Sequence, residues 1–554
     1  MRISLGNWFR KGDPWIWINA GAVTISLVMV FGLLALIAVR GLSHFWPHSV
    51  FETSYSGNQG AVITLIGQEV EQEDVPAEQI RATGLDVPED QNFVERWLVK
   101  TGNRDLGGSD FNWYLRRNLG ELTYPQDIVV LERREWGNFY GYLEAVSENG
   151  EVVASGENVW PAFEERLDRA LQLHEKIEDI EKGRIASINA ELEALRLERR
   201  RLALDGQDTP EALADVEARE AEANAGYDVL QSELSELYEA INRDAIVMRA
   251  MQNKTQTISL AKVVRGFKPN DMGLLEKGGF YISKIWEFLS EDPREANTEG
   301  GVFPAIFGTV LMVIVMSIMV TPLGVVAAVY LREYAHQGTV TRILRIAVNN
   351  LAGVPSIVYG VFGLGFFIYF IGGGIDDVFF EEALPSPTFG TPGLLWASIT
   401  LAILTLPVVI VATEEGLSRI PRSIREGSLA LGATKAETLW RVVIPMASPA
   451  LMTGVILAIA RAAGEVAPLM LVGVVKLAPS LPLDGNYPYL HLDQKFMHLG
   501  FHIYDVGFQS PNVEAARPLV YATALLLVAV IALLNLSAVA IRNRLREKYK
   551  ALEM

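Results

Sequence analysis

Residues 423–445 read SIREGSLALGATKAETLWRVVIP, a polar stretch between two long apolar ones. Ser423 precedes Glu426 by three residues and Thr434 precedes Glu437 by three, so each hydroxyl is placed to cap a helix whose N3 carboxylate reaches back. Gly432 falls between the two helices, where a C′ glycine takes positive φ and ends the first. Pro445 is expected to end the second. Leu429, Leu431, Leu439 and Val442 are available to seat the pair. Two short helices joined by a glycine elbow, held between membrane spans, make a docking knob.

The apolar runs around this elbow lie at 302–331, 343–371, 393–413, 449–475 and 518–541, with a sixth at 16–39. The N-terminal run of about 24 residues is too long for a signal-peptide core and long enough to span. Trp15, Trp17 and Trp46 flank it as interface anchors. Arg2, Arg10 and Lys11 precede it; loop 332–345 carries Arg332, Arg342 and Arg345, the elbow loop carries Arg419, Arg422, Arg425, Lys435 and Arg441, and the tail carries Arg542, Arg544, Arg546, Lys548 and Lys550. Six spans put all four basic segments on one side, which the positive-inside rule makes cytoplasmic. Loop 372–392, with Asp376, Asp377, Glu381 and Glu382 and no base, falls opposite together with residues 41–300. In a bacterium with two membranes that side is the periplasm.

Charge separates the same two regions. The chain of 554 residues carries a net −18, yet residues 41–300 hold 49 acids against 27 bases while the remainder holds 17 against 21. An acidic soluble region is therefore inserted in a mildly basic membrane protein, which argues against a nucleic-acid partner. With no cysteine, disulfides and thiolate chemistry are excluded. No G-x-x-x-x-G-K-[ST] occurs, so no P-loop binds ATP here and energy must come from another subunit. No HExxH or histidine cluster points to a metal; His44, His48, His491, His498 and His502 read as unliganded polar tips near the outer interface.

Within the insertion, 41–160 mixes short apolar and aromatic runs with Gly, Pro and Asn breaks and reads as β-rich. Residues 161–250 are helical, with Ile185, Ile188, Leu192, Leu195 and Leu202, then Tyr227, Leu230, Leu234, Leu237 and Ile241, on 3- and 4-residue spacing either side of Asp205-Gly206 and Pro210. This is the pattern of an antiparallel coiled-coil hairpin. Arms of about 40 residues reach roughly 60 Å, as a solvated stalk or as a docking arm. Residues 251–300 bring the chain back, first as a strand at 255–267 that returns to the β-rich region, then as an interfacial helix at 274–289. The fold class is an all-α six-span permease carrying a large α+β insertion. Residues 1–40 hold the first span, 301–545 the membrane core with loop 414–448, and 546–554 the tail.

Pro322, Gly324, Gly353, Pro355, Gly360, Gly363, Gly365 and Pro407 lie in the apolar runs, where small residues permit close helix contact and proline breaks helices beside cavities. Arg461 and Glu465 are the ionisable pair inside a span, a placement costing about 2.5–3.5 kcal/mol per charge. Spaced i, i+4, they either neutralise each other and fix packing, or line a polar path.

The 423–445 stretch resembles the cytoplasmic loop of ABC-importer permeases, with Glu426, Gly432 and Pro445 on the family spacing, Val442 and Ile444 in its apolar positions, and Gly427-Ser428 in place of two alanines. LAGVPSIVYGVFGL at 351–364 and RAAGEVAPL at 461–469 resemble signatures of phosphate-importer permeases, close to the second, A-type subunit. The resemblance covers roughly 1–45 and 270–545. It implies a type I permease fold in the inner membrane, lipid around it, a homologous permease beside it, two copies of an ATPase that binds the ATP, and a periplasmic phosphate-binding protein. It implies no cofactor on this chain and no catalysis by it. Glu426, Gly432, Thr434, Glu437 and Pro445 would then couple to the ATPase, and Arg461 and Glu465 would face the phosphate. Permeation of another oxyanion, such as molybdate or sulfate, and a membrane-anchored scaffold or sensor stand as alternatives.

Overall fold

The computed structural model describes residues 13–56, 62–82, 91–510 and 513–549. Arg2, Arg10, Lys11 and Lys550 lie outside the described residues. Six helices among those described are long and apolar enough to cross a membrane: Pro14–Ser43, Phe303–Tyr334, Ser356–Phe379, Leu394–Ser418, Lys435–Ala462 and Ala516–Arg544. The fourth is the hub. Two-thirds of its apolar window (67%) is buried, against 0% for the first, because Ala397, Ser398 and Ala402 let neighbours close in and Leu401, Leu404 and Val409 fill the gaps.

Two spans differ from the expected runs. The third begins at Ser356, not near 343, because Gly353 and Pro355 break the chain there and proline bars the α conformation from its predecessor. Residues Thr339–Leu351 form a separate amphipathic helix. At its far end the third span runs on to Phe379, so Asp376 belongs to helix rather than loop; its buried carboxylate accepts from the backbone N–H of Phe389 (2.9 Å) and Gly390 (2.6 Å). The fifth span stops at Ala462, well short of 475, and the chain turns through 463–468 into a short helix, Leu469–Val472.

The insertion holds two sheets. Strands β1 (Phe51–Ser56), β2 (Val62–Pro76), β3 (Phe93–Lys100) and β4 (Phe111–Leu115) form a four-stranded antiparallel sheet in chain order. The second sheet contains β5 (Val129–Arg133), β6 (Phe139–Glu148), β7 (Glu151–Ser155), β8 (Asp244–Arg249), β9 (Thr255–Ser259) and β10 (Val263–Phe267), ordered β10-β5-β6-β8-β9 with β7 on β6. The return through 255–267 thus pairs β10 with β5 across the whole helical excursion. Helix Leu274–Ser290 follows, exposing Leu274, Leu275, Ile282 and Trp286 while burying Phe288.

The excursion leaves β7 and returns at β8. Its first helix, Val159–Glu178, is rooted in the second sheet through Phe163, Leu167 and Ala170, which pack with Phe139, Val146 and Ile246. Helices Ala186–Leu204 and Pro210–Ile241 then run antiparallel, as the ion pairs Arg199–Glu220 (2.9 Å) and Arg219–Glu198 (3.1 Å) across them show, and Arg184–Glu233 (3.1 Å) ties the preceding π turn, Asp179–Ile185, to the return helix. Leu195, Val216, Ala223 and Leu230 are buried between. Gly206 turns the chain at φ +66°, and Thr209 caps the return helix ahead of Pro210. The hairpin does not stand free. Arg201, near its tip, bonds Glu382 beyond the third span, and Lys182 bonds Asp292 (2.6 Å).

Candidate coupling elbow and substrate path

Helix Arg422–Ala430 ends in a reciprocal C-cap. Gly432 N–H donates to Leu429 C=O (3.0 Å) and Ala433 N–H to Ser428 C=O (3.3 Å), with Gly432 at φ +90° between them. The next helix, Lys435–Thr438, opens with the expected capping box: Glu437 N–H donates to Thr434 Oγ1 (3.2 Å) and Thr434 N–H to Glu437 Oε2 (2.9 Å). The box expected at Ser423 is not formed. Pro421 is the N-cap, its fixed φ starting the helix two residues early, so Ser423 and Glu426 both fall inside it. Pro445 does not end the second helix either. A π turn at Leu439–Val443 widens the ladder just before Pro445, and the helix runs on through it as Ile444–Ala462.

Seating and exposure divide differently from the expected set. Leu439 (4% exposed) and Val443 (0%) anchor the elbow, whereas Leu431 (91%), Trp440 (67%) and Leu429 (46%) face outward. Glu426 and Glu437 are exposed beside them. The elbow is also tied to the second span by contacts the sequence reading missed. Arg425 donates to Glu333 Oε1 (2.9 Å) and to the C=O groups of Ile420 and Leu417 (2.8 Å each). Lys435 donates to Glu333 C=O (2.5 Å) and lies over the Tyr334 ring. Ser428 and Thr438 hydroxyls meet at 2.9 Å and lock the two short helices together. A signal existed, since Glu333 is the lone acid of loop 332–345.

Arg461 lies in the last turn of the fifth helix and Glu465 in the turn after it, so the pair does not share a helix face as i, i+4 spacing implied. They still face each other, Arg461 Nε to Glu465 Oε1 at 3.7 Å, and stay partly exposed at 33% and 21%. Arg461 has no other polar partner among the described residues, which leaves its fork of donors open. The turn rests on the third span at Gly360, where an added Cβ would lie 2.7 Å from Pro468 Cα. The two stretches at 351–364 and 461–469 therefore touch through backbone. Tyr359 fixes the start of that span by donating to Leu351 C=O (2.7 Å).

His498 and His502 are core residues, 1% and 2% exposed, not polar tips; burial pushes both down to about 4. His491 bonds Asp484 (2.8 Å).

Residues 320–548 match the family of binding-protein-dependent transport system inner membrane components. The phosphate transport system permease protein PstA 1 of Mycobacterium tuberculosis is 36% identical over 275 residues, which are 49% of this chain and 80% of that relative. The probable ABC transporter permease protein YqgH of Bacillus subtilis is 34% identical over 241 residues, 43% of this chain and 72% of the relative. Among solved structures, an inward-facing MetNI methionine ABC transporter matches at 19% identity and a TM-score of 0.32, over 44% of this chain and 94% of that one. The family match at 320–548 takes in the elbow and the spans from the third to the sixth, and with these relatives the chain belongs to the ABC-importer permeases of the PstA type.

Proposed function

We propose that this permease carries inorganic phosphate inward, in a complex with a homologous permease, two ATPase subunits and a periplasmic phosphate-binding protein. The observation that carries the reading is Arg461. A guanidinium at a helix break inside the bundle, with its carboxylate no nearer than 3.7 Å, keeps donors for a passing oxyanion. Glu465 balances it and keeps binding weak enough for release. On the other face, Glu426, Gly432, Thr434, Glu437 and Pro445 shape the elbow that meets the ATPase, with Leu431 and Trp440 as its apolar contacts. The chain itself hydrolyses nothing and needs no cofactor. The elbow lies in the cytoplasm and residues 41–300 in the periplasm, where the helical hairpin packs as a coiled coil.

Uptake of radiolabelled phosphate into vesicles carrying the assembled complex tests the reading. Arg461→Lys is expected to transport poorly although charge is kept, and Arg461→Gln less still, because an ammonium lacks the planar fork. Arg461→Gln with Glu465→Gln separates a path from a packing pair. If the pair only packs, removing both charges leaves no orphan and uptake recovers; normal uptake by this double variant would end the path reading.

A further inference from the structure

A cavity of about 580 Å³ lies where the insertion meets the bundle, away from Arg461. Leu36 and Arg40 of the first span and Leu519 and Tyr521 of the sixth form its membrane side; Lys100, Asp110 and Glu299 face it from the insertion. Most charges around it are matched. Arg104 pairs with Glu295 (2.8 Å), and Lys284 with both Glu132 and Glu287 (2.9 Å each). Lys100 is left over. Its ammonium makes no hydrogen bond or ion pair among the described residues, and its nearest recorded contact is the Phe111 ring, 5.8 Å from Nζ. Burial alone would lower its pKa, but Tyr140, Glu299 and Asp110 around it raise it above the ordinary lysine value, so it stays charged.

Asp110 presents the opposite deficit. It is 8% exposed; its Oδ1 is buried without a hydrogen-bond donor, while its Oδ2 stands 3.8 Å from Arg104 Nη1. An ammonium with no direct ion-pair partner and a carboxylate with one oxygen lacking a donor, both on residues that line one roomy cavity, are each costly unless something supplies both. We propose that the cavity binds a phosphate-bearing group that also carries a hydrogen-bond donor, its anionic oxygens on Lys100 and its donor on Asp110. Two sources share that chemistry: the phosphoethanolamine head group of a bilayer phospholipid, entering between the first and sixth spans, and a hydrogen phosphate ion from outside. Either would tie the insertion to the bundle. The proposal does not rest on phosphate being the cargo.

The full chain, purified in detergent and stripped of bulk lipid, is weighed by native mass spectrometry with phosphatidylethanolamine or phosphatidylcholine added, and dialysed against radiolabelled inorganic phosphate. A head-group site holds one phosphatidylethanolamine per chain and phosphatidylcholine about tenfold less, because a quaternary ammonium has no N–H to give Asp110. An ion site instead holds one phosphate per chain, and that signal survives Arg461→Gln, which separates it from the transport path. In either case Lys100→Gln lowers occupancy about tenfold and Lys100→Arg restores it. The wild type decides by itself as well: soluble phosphoethanolamine displaces the bound probe and ethanolamine does not. Absence of stoichiometric binding by both probes, or equal binding in Lys100→Gln, or no displacement by phosphoethanolamine, overturns the proposal.

Discussion

Gly432 and Gly427 lie five residues apart in the elbow, and their backbones ask opposite things of them. Neither has an atom within 4 Å of an added Cβ, so space does not distinguish them; Gly432 is at φ +90° and Gly427 is inside a helix. Gly432→Val is expected to strain the turn by about 1–2 kcal/mol and to uncouple ATP hydrolysis from uptake while the protein still reaches the membrane. Gly427→Ala should stabilise the helix by about 0.5–1 kcal/mol and leave coupling intact. Binding-protein-stimulated ATPase activity set against phosphate uptake, measured in the same vesicles, checks both. At Arg425 the expected effect is energetic coupling: a double-mutant cycle of Arg425→Gln with Glu333→Gln should give about 1–3 kcal/mol, since both side chains are nearly buried at 2.9 Å. His498 and His502 add a pH dependence. Their folded values near 4 lie below the ordinary 6.5, so their stabilisation is fully present above pH 6.5 and is lost as pH falls toward 4. The melting temperature should drop across that window. His502→Phe should flatten the drop, because neither buried ring nitrogen of His502 has a partner.

At the scale of elements, the break after Ala462 is held by what the third span leaves out. A Cβ at Gly360 would fall 2.7 Å from Pro468 Cα and 2.9 Å from its carbonyl oxygen, whereas one at Gly365 meets nothing within 4 Å. Backbone cannot step aside as a side-chain tip can. Gly360→Val should therefore cost about 1–3 kcal/mol and separate the 463–468 turn from the third span, and Gly365→Ala should be neutral. Thermal unfolding of the purified chain, followed with each variant, distinguishes the two; equal melting would mean that the turn does not rest on this glycine.

For the molecule as a whole, the hairpin is a strut between the insertion and the bundle. Its root is built into the second sheet by Phe163 and Leu167, and its tip is bonded to Glu382 by Arg201. Cysteines at Arg201 and Glu382, placed in a chain that has none of its own, should therefore be bridged by a bifunctional thiol reagent whose spacer matches the lost Arg–Glu side chains. Absence of a cross-link in the assembled protein would mean a hairpin that stands away from the bundle. The same cysteine-free background tests sidedness. Ser187→Cys should react with an impermeant thiol reagent on intact spheroplasts, and Ser423→Cys should not.

Much of this was legible in residue order because it depends on local backbone chemistry and on hydrophobic length. Gly432 takes positive φ, Thr434 and Glu437 close their box, and six apolar runs become six long helices, since each outcome is settled within a few residues or one helix length. Local rules also misled where neighbours intervened. Ser423 lost its cap to Pro421, and Pro445 was absorbed by a π turn that no propensity announces. Apolar length alone ran the fifth span on to 475, although packing at Gly360 ends it at Ala462. Tertiary structure alone joined Arg425 to Glu333, 92 residues away, and Arg201 to Glu382, 181 away. It also left Lys100 without a direct ion pair while pairing Arg104 and Lys284 beside it. Ion pairing across such separations depends on which surfaces the folded chain brings face to face, and periodicity within a segment carries no information about that.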